Sequence, residues 1–246
     1  MAVLHLLGTG AAASDAARTT TMLAFEHRDS VLLVDCGGDV IQRVLAAGID
    51  PERIDALIVT HEHPDHAGGF ALFMERIWLL GRKRPIPVIG IAPALAQARR
   101  VLEAFDTSGW SMPAIEWRTV EERAGAVLLD NDTWRVTGAP GTHSVPVIGL
   151  RVEAAGAGTV AYSCDTEPSA QITELSRGAD VLVHEATGGF RGHTSIEDAA
   201  RVAEEAGAGR LILVHLPAGV QDTDLDGARR IFSSVEFGAD GGRHAF

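Results

Sequence analysis

The sequence predicts an α/β fold, an αββα sandwich in which two β-rich halves pack together and helices cover the outer faces. Three observations support this fold class. Short apolar, strand-like runs recur in both halves, segments with helical periodicity follow several of them, and polar loops come at the ends of strands. No linker, short repeat or low-complexity segment interrupts the pattern, so we expect residues 1–246 to form a single domain.

The first half of the chain begins with strands and continues with alternating strands and helices. Residues 39–47 carry apolar side chains at helical spacing, and Gly48 stands where such a helix would end. The expected strands are Val3–Gly8, Thr21–Phe25, Val31–Asp35 and Leu57–Val59, with further β-type residues at 82–93, and the expected helices are 39–47, 69–80 and 93–105.

The second half of the chain again alternates strands and helices. It follows a segment, 106–135, in which the apolar residues have no regular spacing and predict no helix or strand. Thr194 or Ser195 is suited to cap the helix that begins at Ile196. A loop rich in Gly and Pro is expected at 138–146, and a Gly-rich tail ends the chain. The expected strands are Trp134–Thr137, Val147–Glu153, Thr159–Ser163, 180–185, 210–215 and Val235–Phe237, and the expected helices are 169–177, 196–206 and 225–232.

The composition narrows the class of protein. There are 33 acidic and 21 basic residues, a net charge of −12, whereas long nucleic acids and anionic membranes are bound through basic surfaces. No apolar run reaches the roughly 18 residues of a transmembrane helix, and the N-terminus lacks the basic segment of a secretory signal. Two cysteines, Cys36 and Cys164, make no disulfide framework. We therefore expect a cytoplasmic enzyme with two reduced, buried thiols.

Residues 61–66, with the sequence His-Glu-His-Pro-Asp-His, place three histidines and two carboxylates directly after an apolar strand. Imidazole nitrogens and carboxylate oxygens are ligands of zinc and related divalent metals. Residues two apart in an extended segment point the same way, so His61 and His63 can share one metal, while Asp65 and His66 can reach a second. Any one histidine is more often structural, but three within six residues at a strand end favour a metal site.

Three further candidate ligands stand at the ends of other apolar strands: His143, Asp165 and His215. Each is a weak signal alone. A sheet-based fold gathers a site from distant strand ends, and these three positions therefore strengthen the prediction of a metal centre.

The chain resembles the metallo-β-lactamase superfamily of binuclear metallohydrolases, whose signature is His-x-His-x-Asp-His. It is most similar to the ribonuclease Z group and its short phosphodiesterase relatives. The resemblance covers nearly the whole chain and implies the four-layer αββα metallo-β-lactamase-like sandwich. The matching segments are LLGTGAA near the start, LLVDCGG at 32–38, HEHPDH at 61–66, GTHS at 141–144, SCDT at 163–166, HEAT at 184–187, GHTS at 192–195 and LILVH at 211–215.

The resemblance implies two divalent metal ions, zinc or alternatively manganese, that share a hydroxide acting as the nucleophile. One ion is expected on His61, His63 and His143, the other on Asp65, His66 and His215, with Asp165 bridging them. Asp65 is also expected to orient or deprotonate the attacking water.

The resemblance further implies that His193 of GHTS is a general acid and that Glu185 of HEAT orients it. A neighbouring carboxylate raises the proton affinity of an imidazole, so the assignment is physically sound. The alternative for His193 is a structural role in the loop before the helix cap. His184, among apolar strand residues, is expected to be structural.

Other residues support weaker predictions. Asp35 is expected to fix the loop near the metal cluster through hydrogen bonds and not to bind metal. The segment Gly8–Gly10 is a tight turn or a phosphate contact. Arg191, next to the expected acid, either contacts a substrate phosphate or is simply solvated.

The sequence departs from bacterial ribonuclease Z, which holds tRNA with a long arm inserted between the residues that match His143 and Asp165. Here only 21 residues separate the two, enough for two strands and a turn. The usual proline after the first Gly-Thr-Gly is replaced by Ala-Ala-Ala-Ser, and Lys83 is the only lysine. These differences argue against a long RNA substrate without a partner.

The main prediction is therefore a phosphodiesterase acting on a small phosphodiester, of the cyclic nucleotide or cyclic ribose phosphate type. The first alternative is a ribonuclease Z-type endonuclease of tRNA 3′ ends, helped by a partner. Arylsulfatase-like or lactonase-like hydrolysis, or metal binding without catalysis, are the others. A homodimer is expected from the resemblance alone. Bound divalent ions would make the pocket locally positive, so a single phosphate can be attracted while the acidic surface repels a polyanion.

Overall fold

Two seven-stranded sheets form the centre of the computed structural model, which describes residues 1–246. In the first sheet the strands, numbered in chain order, are β1 (Val3–Gly8), β2 (Met22–His27), β3 (Ser30–Val34), β4 (Ile54–Val59), β5 (Ile86–Ile91) and β6 (Ile115–Val120). In the second sheet they are β7 (Ala126–Asp130), β8 (Trp134–Pro140), β9 (Ile148–Ala154), β10 (Thr159–Tyr162), β11 (Val181–Glu185), β12 (Leu211–Val214) and β13 (Val235–Phe237). The last strand, β14 (Gly242–Ala245), returns to the first sheet.

The strand order is β14-β1-β2-β3-β4-β5-β6 in the first sheet and β13-β12-β11-β10-β9-β8-β7 in the second. Strands β3 to β6 run parallel, and so do β10 to β13. One continuous cluster of buried apolar side chains contains residues of both sheets, among them Phe25, Leu33, Val152 and Val214. This core fills the space between the sheets and continues under the helices of the first sheet, and a second cluster of 15 buried residues packs between the second sheet and its helices.

Helices cover the outer faces of both sheets. On the first sheet lie α1 (Val40–Ala46), the single turn α2 (Pro64–Ala67), α3 (Phe70–Leu79) and α4 (Ala92–Glu103); on the second lie α5 (Ala170–Leu175), α6 (Ile196–Ala206) and α7 (Asp226–Ile231). Short 3₁₀ turns occur at Pro51–Arg53 and Asp222–Leu225. This arrangement confirms the predicted four-layer αββα sandwich. None of these helices is both long enough and apolar enough to cross a membrane.

Most predicted elements are present, and the differences have physical reasons. Strand β8 continues to Pro140, into the expected loop, because Gly138 and Pro140 pair with Leu150 and Ile148 of β9. The Gly-rich tail forms β14, whose His244 lies opposite Leu4 of β1. Strands β6 and β7 fill the segment that predicted no element. They are edge strands with exposed faces, and their sequences therefore lack a strong apolar period.

Smaller predictions are also confirmed. The helix α6 is capped by Ser195, whose hydroxyl accepts a hydrogen bond from the N–H of Asp198 at 3.1 Å. Gly48 follows α1 with a φ of 74°, the left-handed conformation of a helix terminator. Cys36 and Cys164 are unpaired and buried, and burial raises the pKa of both thiols well above its usual value.

Candidate metal centre

The candidate site lies where the carboxyl ends of several strands meet between the two sheets. His61 follows β4, Asp165 follows β10 and His215 follows β12 directly. Three residues at such strand ends have left-handed backbone conformations, with φ of 63° at Asp35, 53° at Cys164 and 54° at His215. Such conformations are uncommon for residues other than glycine and concentrate at functional sites.

The turn after β3 packs directly against the metal-binding motif. A Cβ on Gly37 would lie 1.7 Å from the carbonyl oxygen of Asp65, so only glycine allows the two backbones to approach this closely. The N–H of Cys36 donates a hydrogen bond to the carbonyl of His66 at 2.8 Å, and the Cys36 carbonyl accepts one from Gly69. The Asp-Cys-Gly-Gly segment therefore holds the histidine motif in place.

The first group of candidate ligands consists of three histidines and one aspartate. Nδ1 of His63 lies 3.1 Å from Nε2 of His61 and 3.2 Å from Nε2 of His143. Oδ2 of Asp165 is 3.9 Å from Nε2 of both His61 and His143. These four residues were predicted as ligands from widely separated segments, and the structure brings their ligand atoms within 4.8 Å of one another.

The second group shares Asp165 with the first. Nε2 of His215 lies 3.2 Å from Oδ2 of Asp65, 3.3 Å from Oδ2 of Asp165 and 3.4 Å from Nε2 of His66. Nε2 of His66 is 3.5 Å from Oδ1 of Asp165. All seven predicted ligand residues are therefore placed in two adjoining groups, and Asp165 belongs to both.

This donor set fits divalent cations. Three imidazole nitrogens face one another in the first group and two in the second. Hydrogen bonds between these rings cannot satisfy every pair of facing nitrogens at the same time. Oδ1 of Asp165 is buried and has no hydrogen-bond partner, which is costly for a carboxylate oxygen. Histidine with carboxylate is the ligand chemistry of zinc and of related divalent metals.

The protonation of the histidines is consistent with ligation. Burial lowers the pKa of His61 well below its usual value and also lowers that of His63, so both rings are neutral and offer a lone pair. Burial opposes protonation of His66 as well, but Asp165 and Asp35 raise its pKa well above the usual value. A cation bound to His66 takes the place of that proton, because metal ligands must be deprotonated.

Asp35 and Thr60 contact the Nδ1 atoms of two candidate histidine ligands, His66 and His61. Oδ2 of Asp35 lies 2.8 Å from Nδ1 of His66, and the N–H of Thr60 donates to Oδ1 of Asp35 at 2.9 Å. The Thr60 hydroxyl is 3.1 Å from Nδ1 of His61. Asp35 is thus hydrogen-bonded to a backbone N–H, as expected, and its contact with the ring of the candidate ligand His66 was not predicted.

Two more of the five candidate histidine ligands, His215 and His143, are held by residues that sequence reasoning missed. The hydroxyl of Thr187 lies 2.6 Å from Nδ1 of His215 and donates to the His215 carbonyl at 2.8 Å. Nδ1 of His143 lies 2.7 Å from the carbonyl of Gly192. Such partners orient the rings of metal-binding histidines. The only sequence signal for Thr187 was its place in the HEAT segment.

His193 and Glu185 form a pair beside both groups. Nδ1 of His193 lies 3.1 Å from Oε1 of the fully buried Glu185. The His193 ring stacks on His215 with 5.6 Å between ring centroids and meets His143 edge-on at 5.0 Å. Burial opposes the protonation of His193, but the hydrogen bond and charge of Glu185 outweigh it and raise the pKa of His193 above its usual value.

His184 does not join the site. It is fully buried, and its Nδ1 lies 2.8 Å from the carbonyl of Glu185, consistent with the structural role expected for it. Gly8 ends β1 and Gly10 forms bridges with Thr20 and Leu216, so the Gly8–Gly10 segment is bridged backbone that continues from the strand and not the tight turn of the first alternative. Arg191 lines a recess next to His193.

A cavity of about 320 Å³ opens over the ligand groups. Its polar residues include His63, Asp65, Asp165, His193 and His215, and its apolar wall consists of Ala11, Ala12, Ala13, Phe190 and Pro217. A larger cavity of about 650 Å³ adjoins it through Thr187 and Pro217 but contains none of the candidate ligands. The smaller cavity is therefore the candidate reaction site.

Comparison with known proteins agrees with this geometry. Residues 31–216 match the family model described as the β-lactamase superfamily domain. The chain belongs to the β-lactamase superfamily. This identification confirms the predicted resemblance, and with the two ligand groups it makes the chain a metal-dependent hydrolase.

Within the superfamily, the chain is similar to proteins named ribonuclease Z. It is 32% identical to ribonuclease Z of Mycolicibacterium paratuberculosis, over 98% of this chain and 96% of that protein. The metallo-β-lactamase fold protein YhfI of Bacillus subtilis matches with a TM-score of 0.84 and 26% identity, over 100% of this chain and 99% of that one. The short form of human tRNase Z shares the fold, with a TM-score of 0.79 and 22% identity over 100% and 99% of the two chains.

Proposed function

We propose that this superfamily member is a phosphodiester hydrolase of the ribonuclease Z type that cleaves RNA. The observation that carries the proposal is the His193–Glu185 pair, which lies beside both candidate ligand groups at the cavity. A proton donor at that position serves a reaction that expels an alkoxide, because an alkoxide leaves only when it is protonated. Phosphodiester hydrolysis in RNA is such a reaction.

The seven ligand residues are proposed to hold two ions, zinc or alternatively manganese. His61, His63 and His143 would hold one and Asp65, His66 and His215 the other, and the carboxylate of Asp165, which belongs to both groups, would be available to each. When bound, such ions lower the pKa of water to near neutrality and stabilise the charge that develops at phosphorus. The arrangement in two groups that share one carboxylate supports this assignment.

The chain's own residues supply the proton transfers. The carboxylate of Asp65, at the cavity, orients the attacking water and accepts its proton. Glu185 accepts a hydrogen bond from Nδ1–H of His193, so Nδ1 keeps its proton and Nε2 is free to carry a second one. His193 gives that second proton to the leaving oxygen, and the hydrogen bond and charge of Glu185, which raise the pKa of His193, favour this acid form.

RNA is favoured over a small phosphodiester by the relatives named ribonuclease Z. The match to the Mycolicibacterium protein extends over 96% of that protein, so this chain spans nearly all of a protein that carries the name. The aligned region has 276 positions, more than the 246 residues of this chain, so that relative carries residues that this chain lacks. The sequence-based preference for a small substrate is less well supported than its first alternative.

A small phosphodiester remains the second candidate, and one specific observation favours it. Strands β9 and β10 are joined by a tight turn at 155–158 with no projecting segment. With a net charge of −12, this compact form offers little surface for a long polyanion. The two candidates share the same catalytic residues and differ in how the substrate is held.

The decisive experiment assays metal-reconstituted protein in parallel on a pre-tRNA with a 3′ trailer and on a panel of cyclic phosphates. Bis(p-nitrophenyl) phosphate, p-nitrophenyl sulfate and a lactone test the wider hydrolase classes. Endonucleolytic release of the trailer at a rate above that of the cyclic phosphates supports the proposal. Turnover of the cyclic phosphates alone would contradict the RNA proposal and support the small phosphodiester. Turnover of only the sulfate or the lactone would contradict both candidates.

A further inference from the structure

Phe190 is a large apolar side chain at the rim of the candidate reaction site. It is 56% exposed, and it borders both the cavity over the ligand groups and a neighbouring recess of about 300 Å³. His193 borders the same two spaces. The Phe190 and His193 rings are in contact, with 4.9 Å between their centroids and an angle of 54° between their planes.

The loop that carries Phe190 is held in place by backbone hydrogen bonds. The N–H of Phe190 donates to the carbonyl of Gly188, and the Phe190 carbonyl accepts from His193, both at 2.9 Å. The N–H of Gly188 donates to Thr194 at 3.0 Å. A Cβ on Gly188 would lie 2.9 Å from the Phe190 ring, so a glycine there leaves room for the ring. The ring is therefore preorganised although it is not buried.

The surroundings of Phe190 combine apolar and polar surfaces. The three alanines of Ala11–Ala13 and Pro217 line the same cavity, next to the candidate ligands on its polar side. Arg191 lines the recess on the other side of Phe190. A ligand that carries both a phosphate and a planar ring matches this combination better than a purely ionic one.

We propose that Phe190 determines specificity by stacking on a nucleobase attached through the leaving oxygen of the substrate. This inference rests on the proposed function, because His193 as the acid defines the leaving-group side of the cavity. A base on that side passes His193 and meets the aromatic ring that covers it. Stacking on an aromatic side chain tolerates any base and strengthens binding by about tenfold or more. The proposal therefore requires a ring but no particular base.

Binding is tested first, with zinc-reconstituted protein and 2-aminopurine riboside monophosphate, whose fluorescence is quenched by stacking. We expect quenching with the wild type, binding about tenfold weaker with little quenching for Phe190→Leu, and near-normal behaviour for Phe190→Tyr. Phe105→Leu is the matched control, because Phe105 is 57% exposed and lines neither the cavity nor the recess. Equal quenching by Phe190→Leu and wild type, or none by wild type, overturns the proposal.

Cleavage is tested with an RNA in which the nucleotide attached through the leaving oxygen is either intact or abasic. We expect Phe190→Leu to lower kcat/KM about tenfold on the intact RNA and to change it little on the abasic RNA. The same loss on both RNAs overturns the stacking role. The two proposals can fail separately. If no RNA is cleaved, the proposed RNA activity is wrong. If the fluorescent nucleotide is nevertheless quenched only by proteins with an aromatic residue at position 190, the stacking role of Phe190 is supported.

Discussion

Nδ1 of His193 lies 3.1 Å from Oε1 of Glu185, and the main chain holds that carboxylate in place from three directions. Its two oxygens accept hydrogen bonds from the N–H groups of Thr166, Thr187 and Thr194 at 3.3, 2.8 and 2.9 Å. The fully buried carboxylate also accepts a hydrogen bond from Nδ1–H of His193. The pair therefore sets the tautomer of His193 and directs Nε2 away from Glu185.

Replacing His193 tests its assignment as the acid. We expect His193→Ala to lower turnover of an RNA phosphodiester by about two orders of magnitude or more, since the leaving alkoxide then departs without a proton. The loss on bis(p-nitrophenyl) phosphate is expected to be much smaller, because p-nitrophenolate leaves without protonation. Steady-state kinetics on both substrates, with metal content measured in parallel, checks this expectation.

The control for this variant is His244→Ala, because His244 is half-buried on β14 and pairs loosely with Glu236 at 3.7 Å. It should leave both activities near the wild-type values. An equal loss on the two substrates for His193→Ala, or unchanged turnover, rules out the acid role and leaves the structural role in the loop.

Asp35 offers a second test, directed at metal affinity. We expect Asp35→Asn to weaken metal binding by about 10- to 100-fold, the usual cost of removing the partner of a ligating histidine. Asparagine has one oxygen where Asp35 uses two, so either His66 or Thr60 loses its acceptor. Competition with a chelator of known affinity measures the change.

The matched control is Asp130→Asn, an exposed residue whose carboxylate lies 3.3 Å from Arg135. Thermal unfolding of both variants without metal separates loss of affinity from loss of folding. Unchanged metal affinity for Asp35→Asn would show that the orientation of His66 is set by packing alone.

The grouping of the candidate ligands could be predicted from sequence because four of them are close together in the chain. His61, His63, Asp65 and His66 lie within six residues after a strand, and the strand ends at His143, Asp165 and His215 follow from the general rule that sheets collect sites at one edge. The elements of the second half were likewise predicted by their apolar periods.

The features that could not be predicted from sequence depend on contacts between segments that are distant in the chain. Nothing local indicates that the Gly-rich tail pairs with β1, because glycine and charged residues lower strand propensity and only the open edge of β1 makes the pairing favourable. The contact of Thr187 with His215 joins two loops 28 residues apart, and the place of Phe190 over His193 depends on the conformation of the intervening loop. Such contacts can be identified only from the three-dimensional structure.

Removal of the ions should destabilise the protein. Ions that bind only the folded state stabilise it by about 2.7 kcal/mol at a concentration 100 times Kd. For a chain of this size, about 2–4 °C of Tm accompanies each kcal/mol, so chelation is expected to lower Tm by roughly 5–10 °C. Calorimetry before and after chelation, with metal analysis near two ions per chain, checks both statements.

Restoring zinc or manganese to the chelated protein should restore Tm, whereas magnesium, which prefers oxygen ligands, should do so poorly. A protein that is isolated without metal and whose Tm does not respond to zinc would contradict the metal centre and every role that depends on it.

Stability should also fall in mild acid because of His5, which lies far from the metal centre. The ring of His5 is 1% exposed, and its Nε2 lies 2.9 Å from Oε2 of Glu26, whose other oxygen pairs with Arg53 at 2.7 Å. Burial lowers the pKa of His5 below its usual value of 6.5, although the contact with Glu26 partly opposes the shift. The folded state therefore holds His5 neutral, while the unfolded chain takes up a proton more readily.

The sign of the pH dependence follows from linkage. Between the lowered pKa of the folded state and 6.5, the unfolded state binds more protons at His5. The contribution of His5 to the free energy of unfolding is therefore fully present above about pH 6.5 and is lost as the pH falls below that value. Urea unfolding at pH 7.5 and pH 5.5, with zinc saturating, should show a smaller loss for His5→Gln than for wild type, because glutamine can donate to Glu26 but does not titrate. The histidines of the metal centre titrate equally in both proteins, so the difference belongs to His5. An equal or larger loss for His5→Gln would mean that Glu26 holds the protonated ring in the folded state and that burial is the weaker influence on His5.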